Sequence, residues 1–301
     1  MEAHLPETVY HYTDIYGLQG IYENSELWAT SSRFLNDSSE AMIGIESLRT
    51  YLFQEESRLL KEQISVYKSA EGRGQTVSDS SESLEELSRS AEGIRKLKLI
   101  REAADHVGNY IDCFITSLSE VRDQLSQWRG YARDGYCIGF STERLCSALG
   151  EDFELRKVTY TDGEAAKGEY LKQISAIVMN LAESTTVVNE EHRVRSLRSA
   201  IRSESAFLKD DRFSEERELR IVPFGIISPS FFTPGRYGMT PRVKISIPRN
   251  SITEVTVGPG AHEKLKARSL IEYFHHTAIR LGEDWNSTPK VRRSTIPYRD
   301  W

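Results

Sequence analysis

Thr8-Val9-Tyr10-His11-Tyr12-Thr13 is a run of β-branched and aromatic residues, and it predicts the strand with which the chain enters its fold. Alternation along a strand places Val9, His11 and Thr13 on one face and the two tyrosines on the other. Asp14 is suited to cap a short helix that follows, and residues 26–30 predict a second strand. The sequence therefore opens with a strand, a helix and a strand.

Two nearly continuous apolar runs, residues 110–118 and 136–141, predict central strands, and a polar loop with Gly130 lies between them. Further strands are predicted at residues 156–160, 218–222, 243–247 and 254–257, and helices at 40–67, 93–106, 164–182, 190–207 and 263–281. Residues 69–90 are rich in Ser, Glu and Gly and predict an exposed loop. We expect an α+β fold in a single domain over residues 1–301, with helical insertions at about 40–108 and 163–208.

The composition is typical of a globular protein, with 39% hydrophobic and 28% charged residues among 301. A net charge of −6 argues against a protein that binds nucleic acid mainly through its overall charge. No apolar run approaches the roughly 20 residues that cross a bilayer, and residues 1–6 lack the pattern of a signal peptide. The three cysteines are an odd number and fit a reducing compartment. We therefore expect a cytoplasmic protein with no membrane partner.

Metal and classical dinucleotide motifs receive little support. The seven histidines are scattered, the pair His275-His276 is adjacent, and no two cysteines have the spacing of a zinc site. A glycine-rich phosphate-binding phrase is also missing. We therefore expect no metal, and any nucleotide would have to be held without a Rossmann-type unit.

Several short motifs, spread in order along the chain, resemble those of the domain-of-unknown-function 2971 family of bacterial proteins. They are His11-Tyr12-Thr13 with Gly17, Leu18 and Ile21, Phe34-Leu35-Asn36-Asp37 with Glu40, Gln127-Trp128-Arg129-Gly130-Tyr131, Gly139-Phe140-Ser141, Glu216-x-Glu218-x-Arg220, Gly258-Pro259, and Ser294 with Ile296-Pro297-Tyr298-Arg299. That family is similar to the ADP-ribosyltransferase fold, so the resemblance implies a split, strongly bent β core with flanking helices that clamps NAD. One departure is Leu219, where the family more often has a large aromatic residue, and an apolar strand position tolerates that exchange.

Glu216 and Glu218 are the candidate catalytic residues. In one strand they project from the same face, with Arg220 following on that face. Cleaving the nicotinamide–ribose bond passes through a cationic ribosyl state that a carboxylate stabilises. The resemblance implies this role for Glu218 and orientation of an acceptor for Glu216. The alternative is a solvated charged strand edge over residues 215–218.

The resemblance also implies the residues that hold NAD. His11 would contact the adenosine ribose, and Tyr12 and Thr13 accompany it on the same strand. Trp128 and Tyr131 are candidates for stacking on nicotinamide, or they are aromatics that pin a loop to the core. The remaining candidates are Arg129, which would pair with a phosphate or with the acidic face, Arg220, and Asn36. The nearby Asp37 and Glu40 are fully explained as a helix capping box.

The function implied is an NAD-dependent ADP-ribosyltransferase, or an NAD glycohydrolase using the same site, acting as a bacterial toxin-like or phage-defence effector. NAD would be a substrate, and the other partners would be an acceptor of unknown class, protein or nucleic acid, and an antitoxin or other regulatory protein. One alternative is an NAD-dependent RNA 2′-phosphotransferase-like enzyme, for which His11, Arg33, Arg129 and Arg220 are available. Another is a non-catalytic nucleotide-binding or interaction module.

Overall fold

The structure is a computed structural model that describes residues 4–35, 40–110, 113–161, 164–183, 189–225, 227–235 and 238–297. The strands are β1 (Thr8–Thr13), β2 (Glu26–Ser31), β3 (Phe114–Ser119), β4 (Tyr136–Ser141), β5 (Phe153–Lys157), β6 (Thr159–Thr161), β7 (Leu208–Asp210), β8 (Glu218–Pro223), β9 (Phe231–Gly235), β10 (Gly238–Ser246), β11 (Ile252–Val257) and β12 (Lys290–Arg293). The helices are α1 (Ile15–Asn24), α2 (Glu40–Gly72), α3 (Ser81–Tyr110), α4 (Leu125–Tyr131), α5 (Thr142–Leu149), α6 (Glu164–Glu183), α7 (Glu190–Ser205) and α8 (Glu263–Leu281). The chain is a mixed α/β structure with a mixed, open sheet, and it divides into two compact units.

The first unit comprises residues 1–36, 114–158 and 211–301 and contains the large sheet. Its strands follow the order β12-β11-β4-β1-β3-β2-β10-β9, and β8 joins β3 to β5. The β11–β12 pair is parallel, and the other pairs in this sheet are antiparallel. Two strands pair with different parts of β3. Phe114 and Ile115 pair with β2, whereas Thr116 to Ser119 pair with β8. The sheet therefore splits at β3.

Three helices, α1, α5 and α8, contribute buried apolar residues to the core beside this sheet. Asp14 caps α1 by accepting a hydrogen bond from the Gly17 backbone N–H at 2.7 Å, as the sequence predicts. In α8, Leu270, Phe274 and Ala278 are buried at a spacing of four, which aligns them on one helix face. The ring of Phe274 packs 4.5 Å from that of Tyr22 in α1. These contacts hold the strands that carry the site.

The second unit comprises residues 37–113 and 159–210, and both predicted insertion ranges fall within it. Its four long helices α2, α3, α6 and α7 bury one hydrophobic cluster, and β6 pairs with β7 in parallel. Gly44 lets α2 approach α7, since an added Cβ there would lie 3.0 Å from the Ser205 backbone. The unit thus has a core of its own.

The prediction of a loop over residues 69–90 is wrong. α2 continues to Gly72, α3 begins at Ser81, and only a short turn lies between them. Ala70, Ser83 and Ser90 are buried, and the Ser90 hydroxyl donates to the Leu59 carbonyl at 3.1 Å. The small residues of this segment suggest a loop in the sequence, but in the structure they allow α2 and α3 to pack closely. No helix among the described residues is long and apolar enough to cross a bilayer.

Candidate functional site

A small hollow in the first unit brings together residues that are far apart in the sequence. His11 of β1 and Glu218 of β8 both line it, and its volume is about 60 Å³. β3 contributes Ser117 and Ser119, and α4 contributes Gln127 and Tyr131. The hollow therefore contains the proposed histidine and the proposed carboxylate.

The strand register explains why these two residues meet. Ser119 of β3 pairs with Tyr10 of β1 on one side and with Glu218 of β8 on the other. Tyr10 is the one β1 residue with a register partner in β3, so the two strands diverge beyond this point. A polar side chain can enter the gap that the divergence leaves between them.

His11 reaches into this gap. Its Nδ1 lies 3.0 Å from the backbone carbonyl oxygen of Ser117. A carbonyl only accepts, so this contact favours a proton on Nδ1 and leaves Nε2 as an acceptor in the neutral ring. Burial lowers the pKa of His11 below its usual value, and the hydrogen bond to Ser117 opposes the shift only in part. At neutral pH His11 is therefore a neutral imidazole with an acceptor nitrogen.

Glu218 is fixed by the arginine two residues farther along the same strand. Arg220 donates from Nε to Glu218 Oε1 at 2.9 Å and from a terminal nitrogen to Oε2 at 3.0 Å. Only 4% of the Glu218 side chain and 1% of the Arg220 side chain are exposed. Both carboxylate oxygens are thus held by a bidentate, charge-assisted pair in a nearly dry environment. The prediction that Glu218 and Arg220 share a strand face is confirmed.

Glu216 reaches the hollow by a different route from the one predicted. It ends a 3₁₀ helix (Asp211–Glu216), and Arg217 is in the left-handed region at φ 44°, so Glu216 and Glu218 do not lie in one continuous strand. The Ser119 hydroxyl donates to the Glu216 carbonyl at 2.8 Å, and the Tyr131 hydroxyl donates to Glu216 Oε1 at 3.1 Å. The prediction of a shared strand face for the two glutamates is wrong, but both line the same hollow.

Tyr131 closes this side of the hollow from the end of α4. The sequence predicts a loop for residues 128–131, whereas residues 125–131 form a short helix despite Gly130. The Tyr131 side chain remains 44% exposed, so its hydrogen bond to Glu216 faces solvent on one side. Breaking such an exposed hydrogen bond costs little free energy.

Tyr12 and Trp128 form a packed pair. Their ring centroids lie 4.8 Å apart at an interplanar angle of 77°, and Trp128 is only 2% exposed. The Tyr12 hydroxyl donates to the Val121 carbonyl at 2.8 Å, which ties β1 to the segment after β3. Gly258 packs against the indole, since a Cβ there would lie 2.9 Å from the ring. These contacts favour the interpretation of Trp128 as an aromatic that pins α4 to the core.

Asp123 is a residue that the sequence analysis missed. It accepts hydrogen bonds from Trp128 Nε1 at 2.8 Å, the Ser294 hydroxyl at 2.6 Å and the Thr295 backbone N–H at 2.7 Å. Burial raises the pKa of Asp123, but these hydrogen bonds outweigh it and the pKa lies below the usual value. Asp123 thereby joins α4 to the C-terminal segment, which gives the Ser294 motif a structural role.

The other predicted cofactor residues lie elsewhere or outside the described residues. Thr13 packs against Gly17, where an added Cβ would lie 1.9 Å from its hydroxyl oxygen, and it does not line the hollow. Arg129 is exposed on α4 and does not line the hollow either. Asn36 and Asp37 lie outside the described residues, and the side chain of Glu40 is not described.

Ser117, Ser119 and Gln127 line the hollow without having been predicted. The sequence offered a weak signal for the two serines, because Thr116, Ser117 and Ser119 place three hydroxyls in a strand whose other residues are apolar. Among the described residues, no group of three or more His, Cys, Asp or Glu side chains is arranged to hold a metal ion.

A family model described as a protein of unknown function, DUF2971, matches residues 127–221. The chain is similar to that family. The matched segment begins at Gln127 and extends past Arg220, so it includes Tyr131, Glu216 and Glu218 but not His11. No curated protein and no solved structure matches the chain. The match supports the DUF2971 resemblance in the part of the chain that supplies the carboxylates.

Proposed function

We propose that the hollow between His11 and Glu218 cleaves the nicotinamide–ribose bond of NAD, with transfer of ADP-ribose to an acceptor or to water. The observation that carries the proposal is that these two residues line one small hollow although 206 positions separate them in the sequence. A buried, pre-oriented carboxylate is what a developing ribosyl cation requires.

The chemistry assigns a role to each side chain. The bond from the ribose C1′ to the nicotinamide nitrogen breaks, and nicotinamide leaves with the electron pair. Glu218 stabilises the cation that forms, and Arg220 fixes the carboxylate so that little reorganisation is needed. Water or an acceptor hydroxyl then bonds to C1′, and its proton passes to Glu216 or to Nε2 of His11.

The split at β3 is what supports the likeness to the ADP-ribosyltransferase fold. β2 and β8 pair with different parts of β3, so the sheet splits there, and His11 and Glu218 reach the hollow from strands on the two sides of β3. That arrangement corresponds to the split, bent β core that the family resemblance implies. The proposed fold therefore has a geometric feature in its favour beyond the sequence motifs.

Access to the hollow requires a local movement. A volume of about 60 Å³ is far below the roughly 300–1,000 Å³ of ordinary small-molecule sites. The hydrogen bond between Tyr131 and Glu216 is exposed to solvent, so breaking it costs little free energy. We therefore propose that Tyr131 swings outward when NAD binds.

The cellular role belongs to the same proposal. We propose a toxin-like or defence effector in the cytoplasm, with an antitoxin or other regulatory partner, because the resembling family suggests it. All three cysteines are free, and Cys113 and Cys137 are buried, which fits a reducing compartment. The RNA 2′-phosphate alternative has less support, since Arg129 does not line the hollow.

The test is nicotinamide release from NAD by the full chain, alone and with cell lysate as a source of acceptors. Glu218→Gln keeps the shape of the side chain, and we expect it to lower the rate by about 100-fold or more. Glu56→Gln is the matched control, because Glu56 is also a partly buried carboxylate bound to an arginine, Arg101, but in the second unit. The proposal would be contradicted if the folded wild-type chain released no nicotinamide. It would also be contradicted if Glu218→Gln released nicotinamide at the wild-type rate.

A further inference from the structure

We propose that a second, larger cavity in the first unit is a binding site for a phosphate-bearing small molecule of the nucleotide type. This groove has a volume of about 970 Å³. Its floor is formed by β1, β4, β11 and β12, and four cationic side chains line it. They are Arg122, Arg144, Lys290 and Arg292.

The floor is built around a glycine. Gly139 of β4 is paired with Tyr10 of β1 and with Glu254 of β11, so the three residues form one row across the sheet. A Cβ at Gly139 would lie 2.9 Å from the Glu254 side chain and 3.1 Å from the Tyr10 ring. The β-bulge at Thr253 brings Glu254 into this register. Gly139 thus allows both side chains to lie across the floor.

Glu254 holds two of the arginines in place. Arg292 Nε donates to its Oε2 at 2.5 Å, and Arg122 lies 3.5 Å from its Oε1. The Glu254 side chain is 12% exposed, whereas those of Arg292 and Arg122 are 47% and 39% exposed. One buried carboxylate therefore positions two accessible guanidinium groups and leaves this trio with a charge of +1.

Arg144 and Lys290 add two further cations to the groove. Arg144 donates to the Asn250 carbonyl at 2.6 Å, which fixes its guanidinium, and Lys290 begins the edge strand β12. The carboxylates of Glu7 and Glu143 balance these two charges. The lining is therefore net positive in a chain whose net charge is −6. Arginines in a fixed geometry are suited to bidentate contacts with phosphate oxygens.

The apolar part of the lining suggests what is attached to the phosphate. Tyr10 and Leu5 provide an aromatic and an aliphatic surface, and the volume is in the range for one small molecule. A flat ring joined to a phosphate or diphosphate satisfies both parts of the lining. Tyr10 lines both the groove and the hollow, but His11 and Glu218 do not line the groove, so binding there does not require the proposed catalytic residues.

The test is calorimetric titration of the full chain with ADP, with inorganic pyrophosphate and with adenosine. We expect ADP and pyrophosphate to bind, ADP more tightly, with an affinity that falls as salt rises, and adenosine to bind at least tenfold more weakly than ADP. Lys290→Glu should weaken ADP binding at least tenfold. Lys264→Glu is the matched control, since Lys264 is exposed on α8 and does not line the groove.

Three outcomes would overturn the proposal. They are no binding of ADP or pyrophosphate at millimolar concentration, an equal loss of affinity in Lys290→Glu and Lys264→Glu, and loss of ADP binding in Glu218→Gln. The last result would place ADP in the hollow. Retained ADP binding in Glu218→Gln supports the groove whether or not that variant cleaves NAD.

Discussion

Two arginine-bound carboxylates in the first unit, Glu218 and Glu254, differ in what surrounds them. Glu218 accepts two hydrogen bonds from Arg220 on its own strand, and both side chains are almost fully buried. Glu254 accepts from Arg292 of a neighbouring strand and lies near Arg122, and both arginines are accessible from a wide groove. Glu218 lines a hollow of about 60 Å³, whereas Glu254 and both of its arginines line a groove of about 970 Å³.

The difference shows that a buried carboxylate does not define a function by itself. In the hollow the arginine is hidden and the carboxylate is aimed at a confined space, which suits electrostatic stabilisation of a reacting cation. In the groove the carboxylate is hidden and the arginines are presented, which suits the binding of an anion. In the groove the accessible arginines face the ligand, whereas in the hollow both partners are buried and Glu218 is the one that lines the space.

The largest expected effect on stability comes from removing Arg220, the arginine of the fully buried pair. Arg220→Met removes two hydrogen bonds from a carboxylate that is almost fully buried, so we expect a loss of about 3–5 kcal/mol in the free energy of unfolding. Arg292→Met should cost about 1 kcal/mol or less, because Arg292 is half exposed and Arg122 remains near Glu254. Chemical denaturation measures both, and equal losses would contradict the distinction between the two pairs.

Substitution of Trp128 tests whether this side chain packs the core beside the hollow or contacts the ligand. Trp128→Phe retains a ring beside Tyr12 but loses the donor to Asp123, so we expect about 1–2 kcal/mol of destabilisation. Denaturation of the variant is the measurement. A variant with unchanged stability and a large rise in KM for NAD would show instead that Trp128 contacts the ligand.

His11 gives a smaller effect that depends on pH. Because burial lowers its pKa, the native state takes up a proton less readily than the unfolded state does. The stability associated with neutral His11 is therefore complete above its usual pKa of about 6.5 and is lost as the pH falls below that value. Denaturation at several pH values should show a smaller decrease in His11→Gln than in the wild type, and parallel curves would contradict the shift.

Regular elements with strong periodicity were predicted well. The helices predicted at 164–182, 190–207 and 263–281 correspond to α6, α7 and α8, and only the end of α7 differs by two residues. Their apolar residues recur at helical spacing, so the sequence carries the signal locally. The edge strand β12, by contrast, is Lys-Val-Arg-Arg and shows no alternation. β12 is a strand because β11 supplies its hydrogen bonds, so it was missed in the sequence. β9 was missed as well.

The site was less predictable than the fold. The pairing of His11 with Glu218 came from a family resemblance, since no local pattern joins residues so far apart. The left-handed conformation of Arg217, which moves Glu216 out of the strand, is not visible in the residue types either. Asp123 was missed because its partners Trp128 and Ser294 come together only in the folded chain.

The most direct test of the central claim is a crystal structure of Glu218→Gln with bound NAD. We expect the nicotinamide ribose to occupy the hollow beside position 218 and His11, with the Tyr131 hydroxyl displaced from Glu216. NAD bound only in the groove lined by Lys290 and Arg292, or a hollow that stays closed at saturating NAD, would contradict it.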